Sequence, residues 1–211
     1  MQTVASGVGG VIDGTFREYG TFNENGLVSM PSSLSYEEGA TLPCAGVTAW
    51  NSLHGSKPLA PGEVVLTQGT GGVSIFAVQF AKAAGAIVIS TTSSAEKAER
   101  LKKLGADHVI NYKEVPNWGE EAKKLTPGGE GVDHIVEVGG PESIKQSFEA
   151  IKIGGVITVV GFVGGVKGGP GFLEPLMRLC SVRGILVGNR VQFEAMVSLA
   201  GLGDFADNSI T

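Results

Sequence analysis

The sequence predicts an α/β fold: a parallel six-stranded sheet with helices packed on both faces. Three observations predict it. Six runs rich in Val and Ile recur between residues 63 and 188. They are continuously apolar rather than alternating, as strands buried on both faces are. Stretches of helical pattern lie between most of them, and a β-α-β-α order implies right-handed parallel crossovers. The 33 glycines among 211 residues are about twice the usual share. They sit at the ends of the apolar runs without a period, where turns and close backbone approaches belong.

The elements follow in order. Strands are expected at EVVLTQ (63–68), AIVIST (86–91), HVIN (108–111), VDHIVEV (132–138), GVITVVGFV (155–163) and VRGILVG (182–188). Helices are expected at 73–84, 95–104, 117–125, 141–151 and 190–200. Residues 58–200 thus make one doubly wound α/β domain, with 201–211 as a tail. Residues 1–57 differ: GTFREYGTFNENGLVSM (14–30) reads as short strands and turns, and SLSYEEGATLPCAGVTAWNSL (33–53) as helix. Ser35 and Glu38 have capping-box spacing, and Pro43 should break or kink that helix. So short a mixed run buries little core alone, so 1–57 is expected to be the remnant of a second domain.

Composition narrows the function classes. Hydrophobic residues at 42% and charged residues at 18% fit a globular core. A net charge of −5 without a basic stripe argues against nucleic acid as partner. Cys44 and Cys180 lie too far apart to suggest a disulfide framework, which points to a reducing compartment. The start, MQTVASGVGGVIDG, lacks the form of a signal peptide, and no apolar run is long enough to span a membrane. A cytoplasmic location is the expectation.

The most informative stretch is LTQGTGGVSIFAVQFAKAAGA (66–86). It reads as strand, glycine turn and nearly all-apolar helix. That layout aims backbone N–H groups and a helix N-terminus at a phosphate. Gly69 allows the sharp turn, and Gly71 lets the backbone approach a pyrophosphate with no Cβ in the way. Thr70, Gly72 and Val73 complete the cradle. Ser74 stands where the G-x-G-x-x-G pattern has its third glycine; it is small enough for close packing, and its hydroxyl is a candidate helix cap. The flanking strand and helix supply the context the motif needs, so a dinucleotide phosphate site is expected here. A glycine turn that serves packing alone is the competing reading.

The second strand bears on which dinucleotide. An NAD site usually places Asp or Glu about 20 residues past the glycines. Here Ser90-Thr91-Thr92-Ser93-Ser94 precedes Ala95-Glu96-Lys97-Ala98-Glu99-Arg100. Hydroxyls from Thr92 and Ser93, then the cations Lys97 and Arg100, favour a 2′-phosphate, hence NADPH over NADH. The plainer reading is Ser93 and Glu96 as a capping box on a solvated helix. Val138-Gly139-Gly140 and Gly161-Phe162-Val163 stand at further strand ends, where ligands of open α/β sheets lie. They are candidates to meet the ribose and nicotinamide, although such turns also favour glycine and proline without a ligand. Pro141 suits the first position of a helix.

The run from LPCAGVTAWNSL through LTQGTGGVSIFAVQFAKAAGA, KLGADHVINY, VDHIVEVGG and GGVITVVGF to GILVGNRVQFEAM resembles the medium-chain dehydrogenase/reductase superfamily, especially its zinc-type alcohol dehydrogenase-like and quinone-oxidoreductase-like branches. The resemblance covers roughly residues 10–197. It implies a six-stranded Rossmann domain joined to an upstream barrel-like, GroES-like catalytic domain, and hydride transfer with NAD(P)H. It places Lys97 and Tyr112 beside the adenosine 2′-phosphate and Arg190 near the pyrophosphate, with Gly188 and Asn189 adjoining. It implies that most of the catalytic domain is missing here, and GLGDFADNSIT (201–211) departs from the family pattern. It also makes a homodimer through the 182–188 edge strand an expectation.

Cys44 falls where zinc alcohol dehydrogenases place a catalytic zinc ligand. A catalytic zinc needs three protein ligands, and no Cys–His–Glu cluster surrounds Cys44 in sequence. Cys44 is therefore expected to be a small buried thiol, and no zinc is expected in this chain. His54, His108 and His134 are dispersed; His134 reads as a satisfied sheet residue, and Trp50 and Trp118 as packing. No residue that would polarise a small-molecule substrate is identifiable. The expected function is an NAD(P)H-dependent oxidoreductase acting on a carbonyl or alcohol, quinone or activated alkene. The alternative is a non-catalytic NADPH-binding module. An S-adenosylmethionine-dependent methyltransferase is disfavoured, because Lys97 and Arg100 would serve no anion there.

Overall fold

The apolar runs form one sheet: β1 (Val64–Gln68), β2 (Ile87–Thr92), β3 (His108–Asn111), β4 (Val132–Glu137), β5 (Ile151–Val159) and β6 (Ser181–Gly184). All pairs are parallel, in the order β3-β2-β1-β4-β5-β6. The computed structural model describes residues 7–200, so the tail expected at 201–211 lies outside the described residues. The strand order reverses between β1 and β4, and a doubly wound sheet opens a crevice at the carboxyl ends there.

The helices are α1 (Tyr36–Thr41), α2 (Val47–His54), α3 (Gly72–Ala83), α4 (Ala95–Lys103), α5 (Trp118–Lys124), α6 (Ser143–Ala150), α7 (Glu174–Arg178) and α8 (Arg190–Ala200). Successive strand residues point to opposite faces, and the two layers follow from that. Val65, Val88 and Val136 meet Val47, Ala49 and Leu53 of α2, Phe76 and Phe80 of α3 and Met196 of α8. Val64, Leu66 and Ile135 meet Trp118 and Ala122 of α5 and Phe148 of α6 on the other face. The segment expected as a second-domain remnant therefore contributes α2 to the same core.

Several elements depart from expectation. No strand forms within 14–30; among the described residues that segment holds a 3-10 turn at Glu24–Gly26. Phe16, Tyr19 and Phe22 are exposed, so this stretch has no packed neighbour to make it a sheet. The Ser35–Glu38 capping box is present: Ser35 N–H donates to Glu38 Oε2 at 2.7 Å and Glu38 N–H to Ser35 Oγ at 3.2 Å. Pro43 does interrupt the helix, through a π-helical turn at Leu42–Gly46 that accommodates its missing N–H. β5 starts at Ile151, which leaves α6 in extended geometry and pairs with Val132. β6 stops at Gly184, and Val187 has φ 61, a left-handed geometry no strand continues through. α7 is too short for a period to show in sequence. α6 starts at Ser143, so Pro141 lies in the turn before it.

A charged cluster closes the amino end of the sheet, away from the crevice. Lys57 Nζ lies 2.6 Å from Glu63 Oε1, and Glu63 Oε2 lies 3.2 Å from His134 Nε2. Asp133 Oδ2 accepts the Val64 N–H at 3.0 Å. Burial lowers the His134 pKa below the ordinary 6.5, against the opposing pull of Glu63. Burial, then the charge of His134, lowers that of His54, whose ring lies tilted against Trp50 at 4.2 Å between centroids. For Glu63, burial pushes upward, but the Lys57 ammonium, the Ala60 N–H and His134 outweigh it, so its pKa falls below 4.5. At pH 7 the His134–Glu63 contact is thus a hydrogen bond donated by the neutral ring's Nε2–H to the Glu63 carboxylate.

These shifts set a pH dependence. Below pH 6.5 the unfolded chain binds protons that the buried histidines refuse, so stability falls as pH drops through that value. The Glu63 contribution is present above 4.5 and is lost as pH falls through its lower folded value. Thermal melts are expected to be flat between about pH 7 and 8, to decline in a first stage from about pH 6.5 and in a second below about 4.5. A His54→Gln, His134→Gln chain should lose the first stage only; an unchanged profile would contradict the assignment.

Candidate functional site

The carboxyl ends of β1, β2, β4 and β5 open on a cleft of about 1010 Å³, at the upper end of small-molecule sites, roughly 300–1,000 Å³. One wall is the glycine turn. Gly69 has φ 74, and its N–H donates to Thr91 O at 2.7 Å, which bends the chain sharply off β1. Gly71 is the N-cap of α3 with φ −72 and ψ 164, and no side chain caps the helix. A Cβ built on Gly71 meets no atom within 4 Å; one built on Gly72 would come within 3.2 Å of Ala45 Cβ. Gly71 therefore faces open cleft, while Gly72 lets the π-helical turn pack against α3. The Ser74 hydroxyl is not a cap. It donates to Gln68 O at 2.6 Å and ties the first turn of α3 to the end of β1, because it points at the strand rather than at the helix amides. The first N–H groups of α3 are thus left without intrahelical partners.

Of the candidate residues, Gly69, Thr70, Gly71, Gly72, Val73 and Ser74 line this cleft, as do Lys97 and Tyr112 across it. Val138, Gly139, Gly161 and Val163 line its other end. The remaining candidates lie outside it, each for a local reason. Thr92 is buried in β2, where its carbonyl accepts the Tyr112 N–H at 3.0 Å. Ser93 is not the cap of α4; Ser94 is, accepting the Lys97 N–H. Arg100 sits nearly a turn beyond Lys97 on α4. Gly140, with φ 105, turns its N–H onto Glu137 Oε1 at 3.1 Å, and Phe162 projects outward, 66% exposed. Gly188 packs on Val47. Asn189 starts α8 through a reciprocal pair with Gln192, both bonds 2.9 Å. Arg190 is engaged by Glu194 at 2.7 Å and the Glu24 carbonyl at 3.2 Å.

Two residues that sequence reading passed over anchor the cleft wall. Glu137 is fully buried. Its Oε1 accepts from the N–H of Gly139 at 2.9 Å, from Gly140 N–H and from the Ser143 hydroxyl. Its Oε2 accepts from Gln68 Nε2 at 2.7 Å and Ser147 Oγ at 2.5 Å. Gln68 Oε1 in turn accepts the N–H groups of Val138 at 3.0 Å and Gly139 at 3.1 Å. The signal was present: an acid at the end of a strand buried on both faces must find donors. Trp118 also lines the cleft.

The site fits a dinucleotide. Uncapped helix amides beside a Cβ-free position form a cradle for a diphosphate, and Lys97 adds a cation nearby. A family model described as zinc-binding dehydrogenase matches residues 72–201. The chain belongs to the zinc-binding dehydrogenase family. It is 48% identical, over 92% of its length, to a zinc-type alcohol dehydrogenase-like protein of Schizosaccharomyces pombe. A solved NAD-dependent alcohol dehydrogenase superposes with a TM-score of 0.84 at 34% identity, covering 93% of this chain. A 2-octenoyl-CoA carboxylase reductase, solved with NADP and 2-octenoyl-CoA, superposes at 0.73 with 26% identity, over 82% of this chain and 43% of its own. The chain spans about 57% of the length of the first two.

These relatives confirm the medium-chain dehydrogenase/reductase superfamily and its α/β fold. Among the described residues no group of three or more His, Cys, Asp or Glu side chains is arranged to hold a metal ion. Cys44, expected as a buried thiol, is exposed, because the π-helical turn presents it outward. Among the described residues no helix is long and apolar enough to cross a membrane.

Proposed function

We propose that this chain binds NADPH in preference to NADH and is the nucleotide-binding part of an oxidoreductase acting on a carbonyl or alcohol, quinone or activated alkene. The observation that carries the reading is the uncapped start of α3 at Gly71, open to a cleft that Lys97 also lines. When bound, the nicotinamide supplies or accepts the hydride. The chain's own residues do the rest. The first turn of α3 holds the diphosphate with N–H donors that carry the helix dipole. Lys97 and the hydroxyl of Tyr112 face the adenosine 2′-phosphate, where no carboxylate at the end of β2 repels it. Val138, Gly161 and Val163 offer apolar atoms at the nicotinamide end of the cleft.

One solved relative is NAD-dependent and another holds NADP, so the preference rests on this chain's charges. Calorimetric titration with NADPH and NADH tests it. Lys97→Glu should weaken NADPH binding roughly 10- to 100-fold, the range of a lost charge-assisted contact, and leave NADH binding unchanged or tighter. Equal losses for both nucleotides would remove Lys97 from the 2′-phosphate site.

A further inference from the structure

Two walls of the cleft meet at one buried carboxylate. Gln68 ends β1 immediately before the glycine turn, and its carbonyl takes the Ser74 hydroxyl from α3 at 2.6 Å. Its side-chain amide reaches across to Glu137 at 2.7 Å, at the end of β4. Glu137 and Gln68 together accept all three N–H groups of the Val138-Gly139-Gly140 turn. The carbonyls of that turn are also spent: Val138 O accepts Val163 N–H at 3.0 Å, Gly139 O accepts Gly164 N–H at 2.7 Å, and Gly140 O accepts Ile144 N–H at 3.0 Å. Every N–H of the turn is thus engaged within the protein, and each of its carbonyls already accepts a bond. It is a rigid wall rather than a cradle, and the carboxylate beneath it fixes where it stands. Ser143 and Ser147, one turn apart on α6, donate to the same carboxylate.

We infer that Glu137 and Gln68 are positioning residues that set the distance between the phosphate-binding turn and the nicotinamide wall. The inference rests on the nicotinamide-nucleotide reading of the cleft. The physical reason is that a fully buried carboxyl group that makes no ion pair among the described residues holds its place only while its donors stay in place. The pair therefore locks β1 to β4 at their carboxyl ends, and through Ser74 it reaches the start of α3. A hydrophobic pair at the same positions could fill the volume but could not orient the three amides.

A swap of the two groups tests it. Glu137→Gln places two amides face to face, and Gln68→Glu places two carboxylates there. The double variant Gln68→Glu, Glu137→Gln restores one of each, and the acceptors for the three turn amides remain. Each single change is expected to weaken NADPH binding about tenfold or more, and to speed hydrogen exchange at the Gly139 and Gly140 amides. The double variant should return both readouts to within about threefold of the parent. Ser147→Ala, which removes one donor outside the cleft lining, serves where a single variant does not fold, with a smaller shift of the same sign. Single variants that bind and exchange like the parent, or a double variant worse than either, would overturn the inference. If the parent chain itself binds no NADPH, the cofactor reading fails. The exchange pattern then decides the lock alone: equal protection in all variants overturns it, and loss only in the singles upholds it.

Discussion

Gly71→Val is expected to leave the chain folded and to lower NADPH affinity by about 100-fold or more. The backbone at Gly71 has φ −72 and ψ 164, a region any residue adopts. Its Cβ direction meets no atom within 4 Å, so a side chain there starts out into open space. The branched side chain instead fills the space where a pyrophosphate would approach the amides of α3. Binding should fail while the melting temperature stays within a few degrees of the parent. Gly69→Val is the contrasting control: with φ 74 the residue pays the left-handed penalty of roughly 1–2 kcal/mol, and stability falls. A Gly71→Val chain that binds NADPH normally would take the glycine turn out of the site.

That contrast shows where the sequence was legible. The strands were readable because a sheet covered on both faces demands unbroken apolar runs, and β1 to β4 lie within two residues of where those runs stand. The phosphate turn was readable because its glycines sit between such a strand and an apolar helix. Gly188, Asn189 and Arg190 rest on resemblance, not local chemistry; here Gly188 lies against Val47 of α2, Asn189 pairs with Gln192 and Arg190 with Glu194. Glu137 and Gln68 were missed because their partners are distant in sequence: β4 must pair with β1 before a glutamine at position 68 can reach a glutamate at 137. The cap of α4 shifted by one residue, from Ser93 to Ser94, because two adjacent serines offer the same hydroxyl and only the end of β2 decides between them.

Phe80→Ala is expected to cost about 3–5 kcal/mol, the range for deleting a buried aromatic ring. Phe80 is 2% exposed. It meets Trp50 of α2 edge-on at 5.6 Å and stacks on Phe76 at 5.7 Å between centroids. The ring is an apolar link between α3, which carries the phosphate turn, and α2, which comes from the segment upstream of the sheet. Such a loss is a large share of a total stability of about 5–15 kcal/mol. Polar contacts also hold α2 to the far edge of the sheet. Arg183 donates to Asn51 Oδ1 at 2.6 Å, and Asn51 Nδ2 donates to Val187 O at 2.7 Å. With one anchor on α3 and the other at the β6 edge of the sheet, α2 should unfold with the rest and not before it. The chain's two tryptophans test this, since Trp50 lies in one helix layer and Trp118 in the other. In each of the Trp50→Phe and Trp118→Phe backgrounds, the fluorescence of the remaining tryptophan and the far-ultraviolet circular dichroism should give one coincident urea midpoint, lowered in both by Phe80→Ala. An earlier loss of the Trp50 signal would show that α2 is a separately held unit, and that the segment upstream of β1 does not share the core of the nucleotide-binding sheet.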